Sequence, residues 1–512
     1  MKKIIFLFLL LVPYFLFSQI NEDAKRDNVW VLGYDYWYSN SPGVDVMYFS
    51  FENDSFNLIY DSLETKELSI RFTNSSICDK EGNLLFYTNG CQIADANHNI
   101  IPGAEVINGG DWIWDNNCPI NGYTNPQSII ILPKPSSENV YWVLHQRQQL
   151  EWGQTVTADV SNLMLTEIEH DTLANEFDAN FVDSSLIADT LFAGHLAACR
   201  HGNGRDWWII QPELNTSGYY NFLVSPSGVE LVKHQYIGDT LVHLESSTGG
   251  GMFSPDGTKY ASFSRYSDIQ IFDFDRCVGD FSNLVHIEIP DEPDWASGVA
   301  FSPNSRFLYL SYFTKIYQID MHANDIPSSL LLVAEWEELG TPGLACYFNK
   351  AQLAPDGNIY IGAPGGRTCY HSIQEPDSFG VACNFVQDHE LPTGINGALP
   401  YYPDFRLGEW VDSPCDTIGL VSIEEPEINE KRFMIYPNPA GDYFEIKQLS
   451  PTLKIYNWQL HDQLGQVVDT GQVKDYTTRI NSTKLASGIY YLSVLSNKGE
   501  QLYFEKIAII NR

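Results

Sequence analysis

The chain has 512 residues and a net charge of −35, from 65 Asp and Glu against 30 Lys and Arg; 13% of it is aromatic and only 19% charged. So large an excess of acid repels nucleic acid and anionic membrane surfaces and removes both as partners. With 37 Gly and 26 Pro beside the aromatics, the composition points to short strands and tight turns, and the length to two or more domains.

Lys2 and Lys3 precede an apolar run from Ile4 to Phe17 that ends at Ser18. A basic start, a short hydrophobic run and a small residue make residues 1–18 a secretory signal. The run is shorter than the roughly 20 residues that cross a bilayer, so an N-terminal anchor is the weaker reading. No later segment is long and apolar enough to span, and the mature chain is expected to have no transmembrane segment. Its nine cysteines begin only at Cys78, which argues against a lipid-modified N-terminus. Export permits disulfides, but nine are too few for a disulfide scaffold, and no C-x-x-C pair suggests zinc or redox chemistry. Cys369 and Cys383 bracket a turn-rich stretch containing Pro376 and are the expected pair.

From residue 27 to 408 one unit recurs: an apolar strand, a tight polar turn, then a strand rich in Tyr, Phe and Trp. Copies centre on Gly82, Ser136, Gly202, Gly257, Asn304 and Gly357, spaced 47 to 66 residues apart. In Pro255-Asp256-Gly257 and Pro355-Asp356-Gly357, Pro presets the first corner and Gly takes the left-handed position that closes the hairpin. A further pair of short strands follows most copies, as at Ile269–Phe274 and Lys315–Asp320. Four short strands per unit of about 50 residues is the pattern of a β-propeller blade. Six hairpins give six blades. A seventh combines Val29–Gly33 and Val44–Phe51 with a strand near Leu399–Phe405, pairing the two chain ends and closing the ring. Seven is the resulting count, with six and eight as neighbouring alternatives.

Several residues within the repeat invite a chemical role. Asp95-Ala96-Asn97-His98-Asn99 and Asp273-Phe274-Asp275 offer alternating oxygens, yet neither follows a calcium loop, and turn roles are the expectation. His201 lies in the most polar hairpin, beside Arg200, Arg205 and Asp206, where capping its own turn competes with a general-base role. The insertion Gly103–Asn125 departs most from blade economy. Its Trp112 and Trp114, flanked by acids and amides, either pack the loop onto the propeller or form a platform for a sugar. They are the candidate ligand-binding residues.

Residues 409–432, with Pro414, Pro426 and Glu424-Glu425-Pro426-Glu427, read as a linker. Residues 433–512 return to alternating apolar strands such as Asp442–Lys447 and Gly488–Val494, a small β-sandwich. This end holds ten Lys and Arg from Lys431 onward against seven acids, so the acidity belongs to the body. The stretch Ile435-Tyr436-Pro437-Asn438-Pro439 with Asp442–Ile446, then His461–Val468, Leu485–Val494 with Gly488 and Tyr490, and the closing Lys506–Ile510 resemble the type A sorting domain of the type IX secretion system. That resemblance implies passage across the outer membrane of a Bacteroidetes-type bacterium, with the secretion machinery as partner and the cell surface or medium as destination. Residues 72–407 also resemble the uncharacterised propellers that such exported proteins carry, through Asp79–Tyr87, Cys199–Trp208, Gly380–Phe385 and Leu399–Phe405. No catalytic residue comes with that resemblance.

The fold class is therefore all-β: a propeller followed by a small sandwich. The turn at Ser254–Thr258 places Asp and Gly side by side, unlike the spacing of a sialidase repeat, and no Gly-x-Ser-x-Gly elbow, phosphate loop or zinc motif is present. No cofactor or metal is called for. The leading reading is an interaction module for an extracellular glycan or protein; the alternative is a secreted hydrolase or lactonase with a composite site on one propeller face. Deleting residues 433–512 should leave the protein in the periplasm, as cell fractionation would show. Efficient appearance of the truncated chain outside the cell would remove the sorting role.

Overall fold

The computed structural model describes residues 22–510, except 34–45, 53–54, 62–67, 69, 71, 111, 153–155, 243–248, 291–295, 339–344, 364–368, 391–398, 416–432, 450–454, 463–465 and 497–500. The signal segment and most of the expected linker lie outside these residues. The chain forms two compact units, Met1–Leu420 and Val421–Arg512. Among the described residues no helix is long and apolar enough to cross a membrane.

The first unit is a ring of seven antiparallel sheets. Blades three to seven have four strands each, in simple sequence order; the first strands of blades two to seven are Ser75–Cys78, Ile129–Pro133, Ala197–Arg200, Gly249–Phe253, Ala296–Phe301 and Ala351–Leu353. In the four-stranded blades first strands are buried and last strands more exposed, as in blade four, where every residue of Ala197–Arg200 is buried and Gly228–Tyr236 faces solvent along much of its length. The hub is thus built from apolar inner strands, and polarity is tolerated outward.

The six predicted hairpins are all present, each joining the first and second strands of its blade. Each tip contains one residue with φ between 61° and 95°: Gly82, Ser136, Gly204, Gly257, Ser305 and Gly357. A backbone bond from tip to strand end closes every turn, such as Gly257 N to Ser254 O at 2.8 Å and Gly357 N to Ala354 O at 3.0 Å. Because the hairpins are equivalent, all six tips open on one face of the ring.

Blade one consists of Val29–Gly33, Val46–Glu52 and Ser55–Asp61. The closing segment Leu399–Phe405 reaches it as expected, but through side chains. Tyr402 stacks on Trp30 at 5.8 Å, its hydroxyl bonds that of Ser76 in blade two, and its backbone N–H donates to Gln352 Oε1 of blade seven at 3.2 Å. Among the described residues no backbone ladder joins 399–405 to Val29–Gly33. The reason is covalent: Pro400 and Pro403 remove two N–H donors from a seven-residue stretch. The carbonyls of Val29 and Val31 accept instead from Ser76 Oγ and Asn74 Nδ2 of the neighbouring blade. Aromatic packing completes the joint, with Phe49 against Tyr370 at 5.1 Å and Phe56 against Tyr360 at 5.2 Å.

Blade three is the outlier. Its outer strands, Val140–Trp152, Val156–Asp171 and Glu176–Leu191, run 13, 16 and 16 residues, and the last is bulged repeatedly. The extra length supports the insertion: Ala179 N donates to Pro102 O at 2.9 Å and Asn108 N to Asp183 Oδ1 at 3.0 Å. Where the sequence suggested a loop, the insertion forms a helix, Trp112–Asn121.

The second unit packs two sheets. Phe433–Tyr436, Tyr443–Gln448 and Thr477–Asn481 form one; the other runs, in spatial order, Val467–Val473, Tyr456–His461, Gly488–Leu495, Gln501–Ile509. Their inward residues, among them Ile435, Phe444, Trp458, Leu492 and Ile507, make one core.

Three disulfides are present: Cys91–Cys118, Cys277–Cys415 and Cys346–Cys369. Cys369 therefore does not pair with Cys383, which is buried and free together with Cys78 and Cys199. Strand geometry explains this. Cys369 opposes Glu390, whereas Ile373 at the far end opposes Phe385, two residues past Cys383. Four strand steps of roughly 3.4 Å separate the two ends, beyond the ~7 Å a disulfide spans. Cys277–Cys415, with Trp410 N bonded to Gly202 O at 2.7 Å, also ties down residues 410–415, which the sequence assigned to the linker. Peptide mapping without reduction should recover these three pairs. Cys415→Ser, which opens a loop of 138 residues, should lower stability by about 2–5 kcal/mol in denaturant titrations.

Candidate ligand site at the channel mouth

Two chain segments meet over the hub on the face where the hairpin tips open. One is the turn at residues 22–28, which precedes the first strand; the other is the end of the closing segment, Tyr402–Gly408. Asn28 lies against Gly82, where a Cβ would sit 2.8 Å from its Nδ2, so only glycine fits that tip. Arg406 grips Asp27 with two parallel bonds, Nη1 to Oδ2 and Nη2 to Oδ1, both at 3.0 Å. Such a bidentate pair fixes both chain ends in one geometry. Asp23 sits between two buried arginines, accepting from Arg26 Nε at 3.0 Å and Arg200 Nη2 at 2.9 Å. Burial alone would raise the Asp23 carboxyl, but Arg200 and then Arg26 hold it below the ordinary carboxylate range. The Arg200 guanidinium also lies 3.9 Å over the Trp207 ring.

Beside this network a hub pocket of about 200 Å³ opens. Blades five, six and seven line it from equivalent positions, with Phe253 and Pro255, Phe301 and Pro303, and Leu353 and Pro355, so an apolar collar recurs three times. The remaining wall holds Asp27, Asp404 and Arg406. Asp404 Oδ1 accepts the Arg406 backbone N–H at 2.8 Å, and its other oxygen has no partner among the described residues. Burial raises its carboxyl above the usual range, against the pull of Arg406 and Arg200 and with the push of Asp27. A second pocket of about 440 Å³ lies between the tips of blades two, three and four, lined by Lys80, Arg26 and Arg200 among others.

The residues singled out in the sequence lie elsewhere. Trp114 is half-buried against Cys91, Cys118 and Tyr123, a packing role pinned by the disulfide. Trp112 opens the same helix, and its side chain lies outside the described ones. His201 caps its hairpin: Nδ1 accepts from Asn203 N at 3.0 Å, Nε2 meets Cys277 O at 3.1 Å, and burial lowers its pKa. Asp95 and Asp275 accept backbone N–H groups of their own turns, and Asp273 pairs with Lys259. Cys346, Cys369 and Asp388 cluster closely, but the two sulfurs are bonded to each other and offer no thiolate.

In the second unit the sorting motif has a structural rationale. Asn438 Nδ2 donates to Lys506 O at 2.7 Å and its Oδ1 accepts from Ala508 N at 3.0 Å. Pro437-Asn438-Pro439 thereby covers the free edge of the last strand, and Ala440 extends the cover by pairing with Ile509. Tyr490 is buried, with its hydroxyl donating to Ala486 O at 3.0 Å, and Gly488 opens that strand.

Residues 434–510 match the secretion system C-terminal sorting domain family. No curated protein matches the chain. Among solved structures, PorZ, a bacterial surface component of the type IX secretion system of Porphyromonas gingivalis, is 12% identical, with 94% of this chain and 58% of that one covered and a TM-score of 0.33. The Dos1 propeller is 14% identical over 72% of this chain and 87% of its own, with a TM-score of 0.39. A protein of unknown function from Desulfotomaculum acetoxidans is 12% identical over 73% and 99%, with a TM-score of 0.37. Likenesses at this level carry no argument about ligands. The blade topology and the tail define an exported β-propeller protein. Its C-terminal domain is a type IX sorting domain, which sends it to the cell surface or medium.

Asp27, Asp404 and Arg406 were not singled out by sequence reasoning; the available signal was an acid between a proline and a buried aromatic in Leu399–Phe405. Their energetics are testable. A carboxyl whose folded pKa is raised destabilises the fold once ionised, a penalty absent at low pH and complete above the folded pKa. Asp404→Asn keeps the acceptor for Arg406 N–H and should raise Tm by a few degrees at pH 7, with the gain vanishing as pH falls to the unfolded value of 3.8. A lower Tm at pH 7 would show that the carboxylate is a structural anchor.

Proposed function

We propose that the exported propeller is an interaction module that takes an extracellular ligand, a glycan or a protein, at the hub pocket on its hairpin-tip face. The observation that carries this is the convergence of three blade tips with both chain ends around one pocket. Its wall includes the Asp404 carboxylate, one oxygen of which has no partner among the described residues, at a cost in stability. Concave, mostly apolar sites with a few convergent polar groups are the usual form of a small-ligand site.

A hydrolase at the same place needs a second free acid or a nucleophile beside Asp404. Its neighbour Asp27 has both oxygens taken by Arg406 and is 3% exposed, which favours binding over hydrolysis. Leu353→Trp should fill the pocket with little change to the blade, since Leu353 is only half-buried. Wild-type and variant protein should be compared on a glycan array and on intact bacterial cells, with Tm recorded for both. The expected result is a loss of at least tenfold in binding with Tm nearly unchanged. Undiminished binding by the variant would place the site away from the hub.

A further inference from the structure

We propose that the hub pocket binds an aliphatic primary ammonium group, with Asp404 as counter-ion and the collar of blades five to seven around the hydrocarbon stem. The inference rests on the hub pocket being the ligand site and names the chemistry that the pocket selects.

The charges around the pocket are committed elsewhere. Both oxygens of Asp27 are held by Arg406, and Asp23 is shared by Arg26 and Arg200. Arg276 directs Nε to the Arg200 carbonyl and Nη2 to those of His201 and Gly408. Asp404 is left with one backbone bond to Oδ1 and an unpartnered Oδ2. A carboxylate in that position has lost part of its hydration, the attraction of Arg406 and Arg200 does not offset the loss, and an arriving cation recovers the difference.

The form of the vacancy narrows the cation. A guanidinium recognises a carboxylate through two parallel bonds, and Oδ1 is already occupied by the Arg406 N–H. One open oxygen suits a point-like ammonium, whose donors need no second partner on the same carboxylate. The collar then argues against a sugar. Pro255, Pro303 and Pro355 have no backbone N–H, and Phe301 and Leu353 have apolar side chains, so ring hydroxyls entering there would lose water without replacement. A methylene stem has nothing to lose. The body of the chain, with 58 of the 65 acids and 20 of the 30 bases, draws cations toward the face from a distance.

Such a group comes from a lysine side chain of a partner protein or from a free diamine. Both are tested by calorimetric titration of the full chain. The probes are N-acetyl-lysine amide and 1,5-diaminopentane, with N-acetyl-norleucine amide and N-acetyl-arginine amide as controls. The lysine derivative should bind saturably and at least tenfold more tightly than either control, and Asp404→Asn should weaken it at least tenfold. Affinity should fall with decreasing pH as Asp404 is protonated, the charges facing it being Arg406 on its own segment, Asp27 from the 22–28 turn, Arg200 from blade four and Arg276 from blade five. Tighter binding of the diamine than of the lysine derivative supports the ammonium site with a free amine as source; the reverse order supports a protein source. Equal binding of the norleucine derivative, or undiminished binding by Asp404→Asn, overturns the assignment. Should that happen while Leu353→Trp still abolishes binding to cells or glycans, the pocket keeps its role and only the ammonium assignment falls.

Discussion

A ring of sheets holds only if its last joint holds, and here, among the described residues, that joint is made without a shared backbone ladder. Pro400 and Pro403 deny the closing segment the donors a strand needs, so the work passes to side chains: Tyr402 on Trp30, Tyr402 to Ser76 and Gln352, and the double bond between Arg406 and Asp27. Side-chain closure has a geometric result that ladder closure lacks. A paired strand would lie flush in its sheet; a segment held by its side chains stands into the hub and brings Asp404 with it. The joint of the ring and the wall of the pocket are one set of residues, separated by 379 positions along the chain.

That separation is why the fold was far more legible than the site. Blade boundaries follow from local chemistry, because a turn such as Pro355-Asp356-Gly357 announces its own geometry within three residues. The place of Leu399–Phe405 was also readable from its pattern; its mode of attachment was not, although both prolines were in plain view. The insertion misled for a related reason. Asp111 to Asn121 holds three Asn and an internal Pro119, poor material for a helix on propensity alone. The helix stands because Cys118 is bonded to Cys91 and Trp114 packs beside it, and disulfide connectivity cannot be read from spacing. For the same reason Cys369 was assigned the wrong partner: proximity in sequence said nothing about which end of a strand each cysteine occupies.

The sorting domain shows the opposite case, in which a short motif carries most of the information. Asn438 replaces a missing strand, offering one donor and one acceptor to the exposed edge of Gln501–Ile509. A primary amide carries its donor and its acceptor on separate atoms, as a peptide group does, and the flanking prolines restrict the backbone that presents it. An uncovered edge of nine residues would be a template for pairing between chains, so this motif protects the domain against self-association.

The strap from Gly408 to Cys415 has a mechanical meaning. A chain hauled by its C-terminal tail transmits tension back along the backbone, and without a crosslink the first element to feel it would be the closing segment, the weakest joint of the ring. With Cys415 bonded to Cys277, the pull leaves the main chain at residue 415 and enters blade five through the turn between its outer two strands. Tension is then spread across a four-stranded sheet loaded on its periphery, while Leu399–Arg406 carries none of it. Whatever force is applied through the tail, the pocket wall stays slack.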